Sequence, residues 1–184
     1  LVIGGGIAGA AAGLKASKRG LKVAVVDKAP IKHSGCGGAG LDHYNHIFDN
    51  PIQSPITPEE YMARAVTKSG KQGHGEYIHL KGSWEFLLEL EELGLPIRDE
   101  DDDFAGTATR NEETKMLKAY DYKNFINVKL RGGQYIKVVQ YYALKKAGVQ
   151  MYERWTATSI LTEGGKIGGR AVGATCLSLD TGEM

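Results

Sequence analysis

Leu1-Val2-Ile3-Gly4-Gly5-Gly6-Ile7-Ala8-Gly9 opens the chain, and the reading of this stretch, together with the residues up to Asp27, decides the fold. Three apolar residues that suit a short strand run into three glycines, and Ile7 to Lys18 then gives an alanine-rich segment of helical character. Gly20 ends that helix, where a residue free to adopt positive φ is wanted. Leu21-Lys22-Val23-Ala24-Val25-Val26 supplies a second β-rich run that stops on Asp27. Strand, helix and strand within about thirty residues make a βαβ unit.

The glycine spacing carries the chemistry. Gly4-Gly5-Gly6-Ile7-Ala8-Gly9 satisfies GxGxxG, with Gly4 allowing the tight turn and Gly6 leaving no side chain between the backbone and a pyrophosphate. Gly9, helped by Ala10 to Ala12 and Gly13, lets the helix pack close to the sheet. The helix N-terminus at Ile7 and Ala8 offers unpaired N–H groups and a partial positive charge to phosphates. Asp27 lies eighteen residues past Gly9, where a strand-end carboxylate accepts hydrogen bonds from an adenosine ribose. That carboxylate would repel a 2′-phosphate, which makes NADP the least suited ligand and leaves FAD and NAD open.

At 184 residues, 42% hydrophobic and 24% charged, the chain has the composition of a soluble globular protein. A net charge of +1 gives no concentrated basic face for nucleic acid or an anionic membrane, so a small-molecule partner is favoured. No apolar run approaches the roughly 18 to 20 residues that span a bilayer, and Leu1-Val2-Ile3 lacks the charged flank of a secretory signal, so direct membrane insertion is not expected. Cys36 and Cys176 form no CxxC pair and indicate neither a disulfide framework nor a zinc site. A cytoplasmic location fits. The first residues read as mid-strand and Asp180-Thr181-Gly182-Glu183-Met184 as a hairpin turn leading onward, so a fragment of a longer polypeptide, inactive alone, is the expectation.

Residues 33–56 are rich in Gly, His, Asn and Pro without a period, and so long a loop is usually functional. Thr57-Pro58-Glu59-Glu60 is a capping box that starts a helix running to about Ser69. A second helix ends at Gly94, before Pro96, with Trp84, Leu87, Leu88, Glu91 and Leu93 as its mostly apolar stripe. Asp99-Glu100-Asp101-Asp102-Asp103 lacks the alternating ligands of a calcium loop and reads as a solvated loop. After Gly132-Gly133, the residues Tyr135, Val138, Val139, Tyr142 and Lys146 recur at helical spacing up to Gly148. Strands follow at about 149–154, 156–163 and 170–179, with Gly164-Gly165 in a turn. His43 and His46 follow Asp42 but sit in a segment that reads as loop without further ligands, so no metal site is expected. Cys36 reads as a small apolar filler, and Trp84 and Trp155 as packing residues.

The opening through Asp27, then Lys28-Ala29-Pro30 and Ser34-Gly35-Cys36-Gly37-Gly38-Ala39-Gly40, resembles the flavoprotein family of fumarate reductase, succinate dehydrogenase and adenylylsulfate reductase α subunits. Gly132-Gly133-Gln134-Tyr135 with Met151-Tyr152-Glu153-Arg154-Trp155-Thr156-Ala157, and residues 166–183, carry the resemblance further. His33-Ser34-Gly35 and Tyr152-Glu153-Arg154 look most like adenylylsulfate reductase, while Asp42-His43-Tyr44-Asn45-His46 departs from the pattern. The resemblance implies an α/β fold: a Rossmann-like FAD-binding domain with a parallel sheet and helices, plus a small antiparallel β-meander. Residues 1–40 would be the βαβ unit and flavin loop, 45–130 a mostly helical insertion, and 131–184 the helix and β-meander, with the family's capping domain absent.

The cofactor implied is FAD, with contacts at Gly4, Gly6, Ile7, Ala8, Gly9, Asp27, Lys28, Ser34, Gly35, Gly37, Gly38 and Ala39 and a backbone contact to adenine at Ala157. Family members with covalent FAD attach it to a histidine directly after a serine; here Gly35 follows Ser34 and His33 precedes it, so non-covalent FAD is expected. The activity implied is FAD-dependent oxidoreduction by hydride transfer at flavin N5, on a fumarate-like dicarboxylate or on a substrate such as adenylylsulfate, with an iron–sulfur electron-transfer subunit as a partner. A nucleotide-binding module without redox turnover is the reading of a different class. No residue of the chain is assigned as catalytic acid or base.

Overall fold

In the computed structural model, which describes residues 1–45, 57–69, 73–120 and 127–184, the elements run in the order β1 (Val2–Ile3), α1 (Ile7–Lys18), β2 (Ala24–Asp27), β3 (His43–Tyr44), α2 (Pro58–Ser69), α3 (Gly73–Glu92), β4 (Leu117–Lys118), β5 (Val128–Lys129), α4 (Ile136–Lys146), β6 (Gln150–Glu153), β7 (Trp155–Thr162) and β8 (Ala171–Ser178). The chain divides into two units, Leu1–Gly40 with Tyr135–Met184, and Leu41–Gln134.

The first unit is built on a parallel sheet of order β1-β2-β6, with Val2 opposite Val25 and Asp27 opposite Glu153. β2 is the central strand, and Val25 and Val26 are both buried, as expected of a parallel strand covered on both faces. α1 buries Ala10, Gly13 and Leu14 and stops at Gly20, whose φ is +80°. A Cβ on Gly13 would lie 3.2 Å from both Leu144 and Val25, so α1 lies tight against α4 and the sheet.

The buried face of α4 is Ile136, Lys137, Gln140 and Leu144, not the stripe of Tyr135, Val138, Val139, Tyr142 and Lys146 that the apolar spacing suggests. Tyr135 and Tyr142 are exposed. The reason is polar: Lys137 and Gln140 face inward because backbone carbonyls of the glycine turn need their donors. Beyond β6, β7 and β8 form an antiparallel hairpin with a register shift between Ala157 and Ser159, and Gly164 and Gly165 both take positive φ in its turn.

In the second unit the capping box of α2 is fully formed. The Thr57 N–H donates to Glu60 Oε2 at 2.9 Å and the Glu60 N–H to Thr57 Oγ1 at 3.1 Å. Past the end of α3 the chain turns at Gly94, φ +96°, where the Leu95 N–H returns to the Leu90 carbonyl at 3.0 Å. The buried seam of α3 is Leu80, Ser83, Leu87 and Leu90, so of the expected stripe only Leu87 is fully buried. The segment 45–130, expected to be mostly helical, also supplies β4 and β5, which pair with β3 in an antiparallel sheet of order β3-β5-β4. Strands of two residues leave no alternation to read in the sequence.

The acidic run is not wholly solvated. Glu100, Asp101, Asp102 and Asp103 are exposed, whereas Asp99 is completely buried at 0% exposure. Its Oδ2 accepts the Phe104 N–H at 2.9 Å and lies 3.4 Å from Arg110 Nε, while Oδ1 lies 3.7 Å from Arg131 Nε. A carboxylate enters a core only with such partners, and losing one strands the buried arginine. Asp99→Ala is expected to lower stability by about 3 to 5 kcal/mol, against less than about 0.5 kcal/mol for Asp101→Ala, read from urea denaturation of the two variants.

Candidate dinucleotide site

The chain leaves β1 at Gly4, whose φ of +97° suits glycine alone, and the Gly4 N–H donates to the Val26 carbonyl at 2.8 Å. Asp27, at the end of the neighbouring strand, accepts the Gly5 N–H on Oδ2 at 2.6 Å and the Ala29 N–H on Oδ1 at 2.8 Å. α1 then starts with Gly6 as its N-cap, without a capping side chain. Among the described residues none accepts from the N–H groups of Gly6, Ile7 or Ala8. Open donors at the positive end of a helix, at the carboxyl edge of a parallel sheet, form a cradle for an anion.

The glycines of this region fall into two kinds. A Cβ on Gly9 would sit 1.7 Å from the Gly4 carbonyl oxygen, so the helix could not begin where it does. A Cβ on Gly6 would meet nothing nearer than the Gly35 Cα at 3.6 Å, so the chain's own packing does not require glycine there. Space kept clear beside open N–H groups fits a pyrophosphate, which is the test the cofactor must pass.

The following loop is small for another reason. At Gly35, Gly37 and Gly38 the chain's own neighbours already demand glycine. Added Cβ atoms would lie 2.8 Å from Gly6 Cα, 2.3 Å from Ile7 Cδ1 and 1.9 Å from the His33 carbonyl oxygen, respectively. The 3-10 turn Cys36–Ala39 thus sits directly against the glycine turn. Ser34 is buried with its hydroxyl donating to the Ile31 carbonyl at 3.2 Å, and Lys28 and Ala39 are exposed. Cys36 is exposed as well, so it is not an apolar filler. Ala157 lies on β7, which packs on β2, opposite Cys176.

Three site residues escaped the sequence reading. Lys137, at 1% exposure, donates from Nζ to the Gly5 carbonyl, and Gln140 donates from Nε2 to the Ile7 carbonyl at 3.2 Å. Burial pulls the Lys137 ammonium down to about 8, opposed by the negative charge of Asp27. Glu153, at the end of β6, accepts the Ile31 N–H on Oε1 at 2.7 Å and so anchors the Ile31–His33 turn. A lysine and a glutamine spaced i, i+3 in register with Ile136 and Leu144 were the available signal, but apolar periodicity alone discards them.

In the second unit His43 lies on β3, with its Nδ1 2.9 Å from Tyr120 Oη and 3.5 Å from Asp42 Oδ2, while His46 lies outside the described residues. Among the described residues no three His, Cys, Asp or Glu side chains gather as a metal would need. No helix among them is long and apolar enough to cross a membrane.

A parallel βαβ unit with an open glycine turn and a strand-end carboxylate defines a dinucleotide-binding protein of the α/β class. The sequence matches the FAD binding domain family over residues 1–184; the chain belongs to that family, and its cofactor is FAD. A search of curated proteins finds no match. Among solved structures, the chain is similar to an adenosine-5-phosphosulfate reductase in complex with sulfite, at 21% identity and TM-score 0.72, covering 98% of this chain and 27% of that one. Adenylylsulfate reductase from Archaeoglobus fulgidus follows at 20% identity and TM-score 0.71, with 98% and 27% covered. A flavocytochrome c3 fumarate reductase in its open conformation has 21% identity and TM-score 0.71, with 98% and 30% covered. The shared fold is what these likenesses establish, and the chain spans less than a third of each relative's length.

The two kinds of glycine predict opposite outcomes. Gly9→Ala should cost the apoprotein more than the roughly 1 to 3 kcal/mol of ordinary overpacking, whereas Gly6→Val should fold and lose FAD. Thermal melts of the apoproteins, and the flavin content of the purified proteins, separate the two. Stoichiometric FAD in Gly6→Val would mean that the phosphates lie elsewhere.

Proposed function

We propose that the protein to which this chain belongs is an FAD-dependent oxidoreductase of the fumarate reductase and succinate dehydrogenase type, acting on a small-molecule substrate. The observation that carries the reading is the set of open N–H groups at Gly6, Ile7 and Ala8 beside a Gly6 whose missing side chain the chain's own packing does not require. When bound, FAD supplies hydride transfer at flavin N5. The N–H groups of the α1 N-terminus hold the pyrophosphate, with Gly4 shaping the turn and Gly9 admitting the helix. Asp27 accepts from the ribose: each of its oxygens already takes one backbone N–H and keeps a second lone pair. Lys28 flanks that ribose, the Ser34–Ala39 loop with Gly35, Gly37 and Gly38 runs toward the flavin, and the backbone at Ala157 meets the adenine.

The cofactor is held without a covalent bond. His33 precedes the buried Ser34, and Gly35, which has no side chain to attach, follows it. An iron–sulfur electron-transfer subunit is the partner we propose. Both cysteines are free thiols, which suits a reducing compartment and a cytoplasmic protein. An adenylylsulfate reductase-like activity is the second reading, carried by His33-Ser34-Gly35 and Tyr152-Glu153-Arg154.

Acid precipitation of the full-length holoprotein should leave the yellow colour in the supernatant; colour in the pellet would mean a covalent link. The holoprotein bleached by dithionite should regain its flavin spectrum with fumarate. Recovery with adenylylsulfate instead supports sulfur chemistry, and a flavin that dithionite cannot bleach supports a non-redox module. Asp27→Ala should weaken FAD binding by about 1.5 to 3 kcal/mol, measured by titrating the apoprotein.

A further inference from the structure

The Gly5 residue is gripped at both polar atoms by charges of opposite sign. Its N–H donates to the Asp27 carboxylate and its carbonyl accepts from the Lys137 ammonium. Across a trans peptide the carbonyl and the following N–H point in opposite directions. Drawing the Gly5 oxygen toward α4 therefore turns the Gly6 N–H away from α4, to a side where no described residue accepts it. One helical step on, Gln140 holds the Ile7 carbonyl from the same face and orients the Ala8 N–H likewise.

A neutral donor would serve the geometry, as Gln140 does, so the buried charge needs its own reason. Burying an ammonium is costly unless negative charge faces it. Asp27 supplies one negative charge, a pyrophosphate adds two, and the end of α1 offers only about half a positive charge. The balance at the turn is short of positive charge without Lys137.

We propose that Lys137 is a positioning residue for the cofactor pyrophosphate: it fixes the Gly5–Gly6 peptide so that the Gly6 N–H faces the anion, and it places a compensating positive charge behind the turn. This rests on the reading of the glycine turn as the pyrophosphate site.

The titratable groups on the elements packed against α4 and the turn are few. α1 carries Lys15 and Lys18, both exposed; the Ile31–His33 turn carries Lys32, 3.4 Å from Tyr142 Oη, and the exposed His33; the Cys36–Ala39 turn carries the exposed Cys36. Of the charged groups, Asp27 on β2 is the one that acts on Lys137. With the ammonium drawn down to about 8, the free protein is charged at Lys137 below that pH and neutral above it. A bound pyrophosphate favours the charged form, so binding above pH 8 takes up a proton and weakens as pH rises.

The test is FAD titration of full-length apoprotein by quenching of flavin fluorescence from pH 6.5 to 9.5. The wild-type Kd should be flat in the acid half of the range and climb toward roughly tenfold per pH unit in the alkaline half. Lys137→Met should bind about tenfold more weakly at pH 7 with a flat profile, and Lys137→Arg, which stays protonated, should be flat and tighter than Lys137→Met. Should Lys137→Met fail to fold, calorimetry of wild type at pH 8.5 in two buffers of different ionisation enthalpy replaces it; uptake of more than about half a proton is expected, and no uptake overturns the proposal. Lys137→Met with wild-type affinity and pH profile overturns this inference alone. Wild-type apoprotein that binds no FAD overturns the cofactor site and this inference with it.

Discussion

The first unit depends on one close approach, that of the first turn of α1 to the carbonyl at the end of β1. With Gly9 bare, the helix starts within van der Waals reach of the Gly4 oxygen, at a distance no side chain could share. That approach fixes the α1 N-terminus over the carboxyl edge of the sheet, where its dipole faces outward. It also fixes where Gly6 lies, and Gly6 in turn is the floor on which Gly35 rests. The loop Ser34–Ala39 thus rests on the glycine turn, Glu153 ties the Ile31 N–H of the Ile31–His33 turn to the end of β6, and Asp27 holds the Ala29 N–H just before that turn.

This construction separates what glycine does for the chain from what it does for a ligand. Gly9, Gly35, Gly37 and Gly38 are bare because other atoms of the chain occupy the space a Cβ would need. Gly6 and Gly4 meet no such obstruction, Gly4 being held to glycine by its φ of +97°. The site is assembled by intrachain packing, so its donors are aimed before any ligand arrives, and binding need not include the cost of ordering them.

How much of this could be read from the sequence follows from the range of the interactions involved. The βαβ order, the capping box Thr57-Pro58-Glu59-Glu60, and the stops at Gly20, Gly94 and Gly148 depend on neighbours a few residues apart, and each lies where local chemistry places it. The buried face of α4 depends on carbonyls about 130 residues upstream, and an apolar pattern assigns it to the tyrosines. Asp99 is the same case in the second unit: five consecutive acids read as a solvated run, but Arg110 and Arg131 make burial of the first one possible. The strands β3, β4 and β5 are too short to carry a period at all.

Polar residues inside the first unit share a common logic. Asp27, Lys137, Gln140 and Glu153 each bond to backbone near the glycine turn, and among the described residues none is paired with another side chain through a hydrogen bond. Such bonds fix peptide planes and not side-chain positions, which suits a site whose working groups are main-chain N–H donors. A main-chain cradle reads phosphate geometry and charge and is indifferent to what else the ligand carries. On the proposed reading, substrate choice comes from side chains other than these, while the residues from Gly4 to Asp27, with Lys137 beneath them, serve the cofactor.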